Sequence, residues 1–193
     1  QGAYIAPGLI DGHLHIESSL VTPAEYANAV LPRGVTGIVA DPHEVANVAG
    51  TAAIDWMMRA SQNLPMHVWF AIPSSVPATP WETSGASLSL TDIESYLSDE
   101  SVVAVGELMS FGGFLAGAND ELSKPLLARA YRCTAEGHAP GLRGLPLQAY
   151  LACGIESDHE STSLDEGLEK LSAGCFLMIR EGSATRNLEA QLA

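Results

Sequence analysis

Short apolar runs alternate with stretches of helical periodicity along this chain, and that alternation limits its fold more than any single residue does. Strand-like runs fall at residues 8–16, 35–40, 66–72, 102–108, 131–137, 154–159 and 175–179. Several are nearly continuous in apolar residues, the pattern of strands buried on both faces. Helical patterns fall between them, at 23–31, 44–61, 91–97, 120–130, 145–152 and 164–173, with another starting at Asn187. Thr22 is placed to cap the first, with Pro23 at the first helical position and Glu25 at the third. Gly34, Gly154 and Gly174 stand where helices stop and strands resume, as left-handed caps do.

Such alternation requires parallel strands joined by right-handed crossovers. A doubly wound open sheet usually carries a Gly-rich phosphate turn after its first strand, and none is present here. A (β/α)8 barrel places its functional residues at the carboxyl ends of many strands, and here polar residues gather at the ends of the runs. The expected class is therefore α/β, a TIM-type barrel. A closed barrel needs eight strands and usually about 250 residues. This chain of 193 residues supplies about seven β/α units, so the expectation is an incomplete barrel whose eighth strand lies beyond Ala193. Gln1 in place of an initiator Met, and a helical pattern still running at Ala193, suit a piece of a longer protein. Residues 72–86, rich in Pro and Ser, are the longest irregular stretch, and loops this long often act as lids.

The chain is 47% hydrophobic and 17% charged, the balance of a globular domain with a real core. Its 23 acidic against 9 basic residues give a formal charge of -14, which argues against nucleic acid or an anionic membrane as a partner. No apolar run reaches the roughly 20 residues that span a bilayer, and no signal peptide opens the chain. Cys133, Cys153 and Cys175 are widely spaced, without a Cys-x-x-Cys pair, and read as buried, reduced thiols of a cytoplasmic protein.

The first apolar run reads as a buried strand that ends in His13-Leu14-His15. Residues two apart on a strand share a face, so two imidazoles point the same way, spaced to grip one metal ion. Glu107 ends the fourth run, His138 follows the fifth, and His159 ends the sixth. Four imidazoles and one carboxylate thus converge on one rim. A single open metal site does not need so many ligands. Two metals sharing a bridging carboxylate use them all, and such a pair brings bound water towards ionisation near neutral pH. Asp158 and Glu160 point away from His159 if the strand stays regular, which would leave them a supporting role. His67 opens the third run, at the opposite end, and reads as structural. In Asp41-Pro42-His43-Glu44, Asp41 reads as an N-cap, Pro42 as the first helical residue and Glu44 as the capping-box acid. His43 has no such account and is a candidate proton carrier or substrate contact. Arg180 and Glu181 end the seventh run, to contact a polar substrate or to pair with each other.

The run Pro7-Gly8-Leu9-Ile10-Asp11-Gly12-His13-Leu14-His15 resembles the opening barrel strand of the amidohydrolase superfamily. Segments 13–19, 40–48, 77–85, 137–142, 157–160 and 178–184 are jointly similar to the adenine deaminase family within it. The resemblance implies a TIM-type barrel with a binuclear centre: His13 and His15 on one divalent ion, His138 and His159 on the other, and Glu107 bridging. Manganese or iron is the implied metal, with zinc as a further option. Glu107 stands where dihydroorotase-like relatives carry a carboxylated lysine. His138-Ala139-Pro140-Gly141 lacks the His-x-x-Glu of mononuclear adenosine-deaminase-like members. Two departures are local: Ser110-Phe111-Gly112-Gly113 replaces the usual Asn and Phe-Pro-Gly after the bridging acid, and Glu136 replaces a common Asp.

By the same resemblance, residues 1–193 form part of a catalytic barrel. The upstream β-sandwich portion, the C-terminal region and the eighth strand, whose Asp binds metal and shuttles protons, are not in it. The implied reaction is hydrolytic deamination of adenine to hypoxanthine and ammonia, with a metal-generated hydroxide attacking C6. It belongs to purine catabolism in the cytoplasm. Glu107 and His43 would be catalytic, and Arg180 and Glu181 would touch the substrate. The partner would be a small purine base, and the full-length protein a homo-oligomer, with this piece alone inactive. The alternatives are another amidohydrolase acting on a different cyclic amidine or amide, and a non-catalytic metal-binding fragment.

Overall fold

Each apolar run forms a strand within its expected bounds. The computed structural model describes residues 2–182 and 185–192, so Ser183 and Ala184 of the last motif lie outside the described residues. The strands are β1 (Leu9–Leu14), β2 (Val35–Ala40), β3 (His67–Ile72), β4 (Val102–Leu108), β5 (Thr134–Gly137), β6 (Ser157–Asp158) and β7 (Phe176–Leu177). β1 to β5 form one parallel sheet in sequential order, and β6 and β7 pair in parallel. A backbone bond from Glu156 N to Ala135 O, at 3.0 Å, joins the β6 segment to β5.

The sheet curls. Strands in a sheet lie about 4.8 Å apart, so β1 and β6 would stand roughly 24 Å apart in a flat one. The His13 ring at the end of β1 instead stacks on the His159 ring just past β6, with centroids 3.8 Å apart. Seven parallel strands bent until the first meets the sixth are an incomplete TIM-type barrel. β1 was expected to be buried, yet Leu9 and Ile10 are 64% and 62% exposed. The reason is topological: among the described residues β1 pairs only with β2, and β7 only with β6.

The helices are α1 (Pro23–Val30), α2 (His43–Ala49), α3 (Thr51–Ala60), α4 (Leu90–Tyr96), α5 (Phe111–Leu115), α6 (Asn119–Ala130), α7 (Gly144–Ala152), α8 (Leu164–Ser172) and α9 (Leu188–Leu192). Thr22 Oγ1 accepts from Glu25 N at 3.4 Å and starts α1 as expected. Gly34, Gly154 and Gly174 all take positive φ, at 93°, 99° and 88°. The helix expected over 44–61 is two helices, because Gly50 adopts φ 60° and ψ -140° between them. α5 was not anticipated; Gly112 and Gly113 disfavour a helix, but Phe114 is buried edge-on against Tyr150, at 5.4 Å. The core joins strand residues Ile38, Phe70, Ile72 and Val105 to helical residues Ile54 and Leu147. All three cysteines are free, but only Cys175 is buried; Cys133 and Cys153 are half-buried.

Candidate metal centre

Glu107, the penultimate residue of β4, is almost wholly buried. Its backbone is pinned first: the hydroxyls of Ser74 and Ser75 donate to its carbonyl at 3.1 and 2.9 Å. Tyr150 on α7 donates to Leu108 O at 2.6 Å and accepts from His138 N at 3.1 Å, tying the ends of β4 and β5 together. Around the Glu107 carboxylate gather all four expected imidazoles. Oε1 lies 2.9 Å from His13 Nε2, 3.0 Å from His15 Nε2 and 3.5 Å from His159 Nε2. Oε2 lies 2.6 Å from His138 Nδ1.

The far side of two rings is also fixed. His13 Nδ1 donates to Glu136 Oε2 at 3.1 Å, and His15 Nδ1 to the Asp41 carbonyl at 2.8 Å. Each ring therefore presents Nε2 inward, the arrangement by which outer carboxylates and carbonyls orient metal-ligating histidines. Electrostatics follow from the crowding. Burial pulls the His13 imidazole down, but its bonds to Glu107 and Glu136 carry it up to about 10. Burial likewise opposes protonation of His15, and Glu107 and Asp41 lift it to about 9. Glu107, despite burial, is held far below the carboxylate range by these imidazoles.

Two sets of donors share Glu107: His13 and His15 with it, and His138 and His159 with it. Each set brings its donor atoms within 4.8 Å of one another. Imidazole and carboxylate together suit a divalent transition metal, and Glu107 belongs to both sets, with Oε1 near His13, His15 and His159 and Oε2 near His138. The residues present therefore fit a pair of ions.

Asp41 does not cap α2. Glu17 does so instead, its Oε1 accepting from Glu44 N and Val45 N at 3.1 and 3.4 Å, while Glu44 Oε1 accepts from the Ser18 hydroxyl. Asp41 is 0% exposed, and neither of its carboxylate oxygens has a hydrogen-bond partner. Its Oδ1 faces His43 Nδ1 at 3.5 Å, and that nitrogen is 3.7 Å from Glu107 Oε1. His43 is thus part of the cluster, and burial, which lowers its pKa, is outweighed by Asp41 and Glu107. Gly106 is required here, because a Cβ would come within 2.3 Å of Asp41 Oδ2. Capping reads plausibly from Asp-Pro-His-Glu, and no sequence signal contradicts it; only the fold reveals the burial.

A cavity of about 640 Å³ opens beside the cluster, between β1 and the segment after β7, with His13, His15, His159, Met178 and Arg180 on its wall. Arg180 and Glu181 do not pair with each other. Arg180 binds Glu160, and Glu181 Oε2 accepts from Leu188 N at 3.1 Å. His67 stacks on Trp69 at 5.4 Å, away from the cluster.

A curled parallel sheet with histidines at its first strand end, a buried glutamate on its fourth and histidines beyond its fifth and sixth defines a class. The chain matches the amidohydrolase family over residues 4–192 and belongs to it. Within that family it is 49% identical over 188 residues to adenine deaminase 2 of Carboxydothermus hydrogenoformans, covering 97% of this chain and 33% of that protein. It is 49% identical over 192 residues to the adenine deaminase of Syntrophobacter fumaroxidans, covering 100% and 33%. With the adenine deaminase of Archaeoglobus fulgidus it shares 48% over 184 residues, covering 95% and 32%. The chain thus spans about a third of the length of the curated relatives it matches.

Proposed function

We propose that the intact protein is a metal-dependent hydrolase that converts adenine and water to hypoxanthine and ammonia. The observation that carries this reading is the buried Glu107 carboxylate shared by two histidine pairs, in a chain about half identical to adenine deaminases. His13 and His15 would hold one ion with Glu107, and His138 and His159 the other. Manganese or iron fits the donor set, as does zinc. When bound, such a pair supplies a hydroxide nucleophile near neutral pH and polarises the group under attack.

The chain's own residues do the rest. Glu136 and the Asp41 carbonyl orient the His13 and His15 rings. His43, held beside Asp41 at the rim, carries a proton between the cluster and the departing amine as the C6–N bond breaks. Arg180, steadied by Glu160, offers a guanidinium at the cavity wall to the polar edge of the base. Glu181, with one oxygen engaged by Leu188 N, lines the same wall. The rest of the polypeptide would add the eighth strand and its proton-shuttling Asp. No helix among the described residues is long and apolar enough to cross a membrane, and the acidic balance suits a free base rather than nucleic acid. We place the protein in the cytoplasm, in purine catabolism, as a homo-oligomer.

The test is a panel of adenine, guanine, cytosine and a hydantoin, offered to the intact, metal-loaded protein. Adenine alone should release ammonia at an appreciable rate. Turnover of the hydantoin in its place would assign a ring-amide hydrolase instead.

A further inference from the structure

α8 carries none of the five candidate ligands, yet its Lys170 is 0% exposed. Lysine is almost never fully buried unless paired, and here all three ammonium protons are used. Nζ donates to Ala139 O at 2.7 Å, Asp158 Oδ2 at 2.9 Å and Glu166 Oε1 at 2.8 Å. Ala139 follows His138 in the chain, and Asp158 precedes His159.

The two acids extend the grip. Asp158 Oδ1 accepts from Ala139 N at 2.9 Å, so Ala139 is held at both its N–H and its carbonyl. Asp158 Oδ2 also accepts from Glu160 N, Ser161 N and the Ser161 hydroxyl at 3.1, 3.0 and 2.9 Å, wrapping the turn after His159. Glu166 accepts from Gly141 N at 2.8 Å and Thr162 N at 3.2 Å, one from each turn. Asp158 does point away from His159, as a regular strand requires, and this is what it points at. His13 and His15 share none of these partners; their rings are fixed by Glu136 of β5 and by the carbonyl of Asp41, the residue after β2.

We propose that Lys170 is the positioning residue for half of the metal centre. Its ammonium locks the turn after β5 to the turn after β6 and so sets the spacing of His138 and His159. The inference rests on reading those two histidines as ligands of one ion. Metal ligation tolerates only about 0.2 Å of error, and two ligands on separate turns hold that tolerance only if the turns move together. An apolar core could fill this space without a buried charge cluster, and often at no cost in stability. What the cluster adds is direction: its bonds run to backbone groups of the turn that follows each histidine.

The test uses the intact protein, stripped of metal and titrated with Mn2+ alone, with bound equivalents and affinities read by equilibrium dialysis. Wild type should bind two. Lys170→Met should keep one ion at wild-type affinity and weaken the other by about 10–100-fold, the usual cost of losing an outer partner. Asp158→Asn, which keeps an acceptor for Ala139 N but loses the carboxylate oxygen that takes Lys170 Nζ, Glu160 N and Ser161 N, should weaken the same ion, and it decides the matter if Lys170→Met does not fold. A purely structural role would lower stability without separating the two ions. Two ions of unchanged affinity in the folded variant, or equal weakening of both, overturns the inference while leaving the centre intact. A wild type that binds fewer than two ions overturns the reading of the centre and the inference together.

Discussion

Glu107 lies within 3.7 Å of five imidazoles, those of His13, His15, His43, His138 and His159, and no other side chain in the cluster is so placed. Glu107→Gln keeps the shape but loses the charge that two ions would share. Such ions would supply several kcal/mol of transition-state stabilisation, so the variant should lose both ions and at least about 100-fold in kcat, measured by elemental analysis and ammonia release. Lys170 permits a pH test. Burial alone would raise Asp158 and Glu166, but Lys170 and their other hydrogen bonds hold both below the usual carboxylate range. Their stabilisation is therefore full above about pH 5 and fades as pH falls through the lowered folded values. Lys170→Met leaves two buried carboxylates without their cation, which costs about 3–5 kcal/mol near pH 7. Acid neutralises them, so the deficit should shrink towards pH 4; urea unfolding at both values checks it, and a pH-independent deficit would contradict it. The five candidate ligands were legible because imidazoles and an acid at strand ends have few other uses. Lys170 was not, since Glu166 and Lys170 four apart on a helix read as an ordinary solvated pair.

The elements were legible wherever periodicity and caps agreed. β2 and β4 match their apolar runs, and α1 starts at Thr22. Where the reading failed, tertiary contact had overridden local preference. Gly50 splits a long helical pattern, and α5 forms over two glycines because Phe114 finds a pocket against Tyr150. Two substitutions weigh these elements. Ser163 Oγ accepts from Glu166 N and starts α8, so Ser163→Ala should cost about 1 kcal/mol in chemical unfolding. Gly106→Ala forces a methyl against Asp41 and should cost about 1–3 kcal/mol as overpacking. Gly106→Ala should also disturb His43 and lower activity, whereas Ser163→Ala should act mainly on stability. Equal loss of activity in the two would contradict the placement of Asp41 beside the cluster.

The curled sheet brings β1 and the segments that follow β6 and β7 to opposite walls of the cavity, and among the described residues β1 does not pair with β7. The class of this architecture was legible from strand–helix alternation, and its gap from the count of apolar runs. The exposure of β1 was not, because an edge strand and a central strand of a parallel sheet share one sequence pattern. Unpaired edges and exposed Leu9, Ile10 and Phe176 invite association. Residues 1–193 expressed alone should therefore self-associate and lack activity, as sedimentation and an ammonia assay would show; a monomeric, active preparation would contradict this. The central claim is that five side chains from four strand ends hold two ions that the reaction needs. It is tested most directly by counting metal per protomer and hypoxanthine formed on the same samples of intact wild type and His138→Ala. The account predicts two ions and turnover in the wild type, and loss of an ion together with turnover in the variant. A variant that keeps both ions and full activity would contradict it.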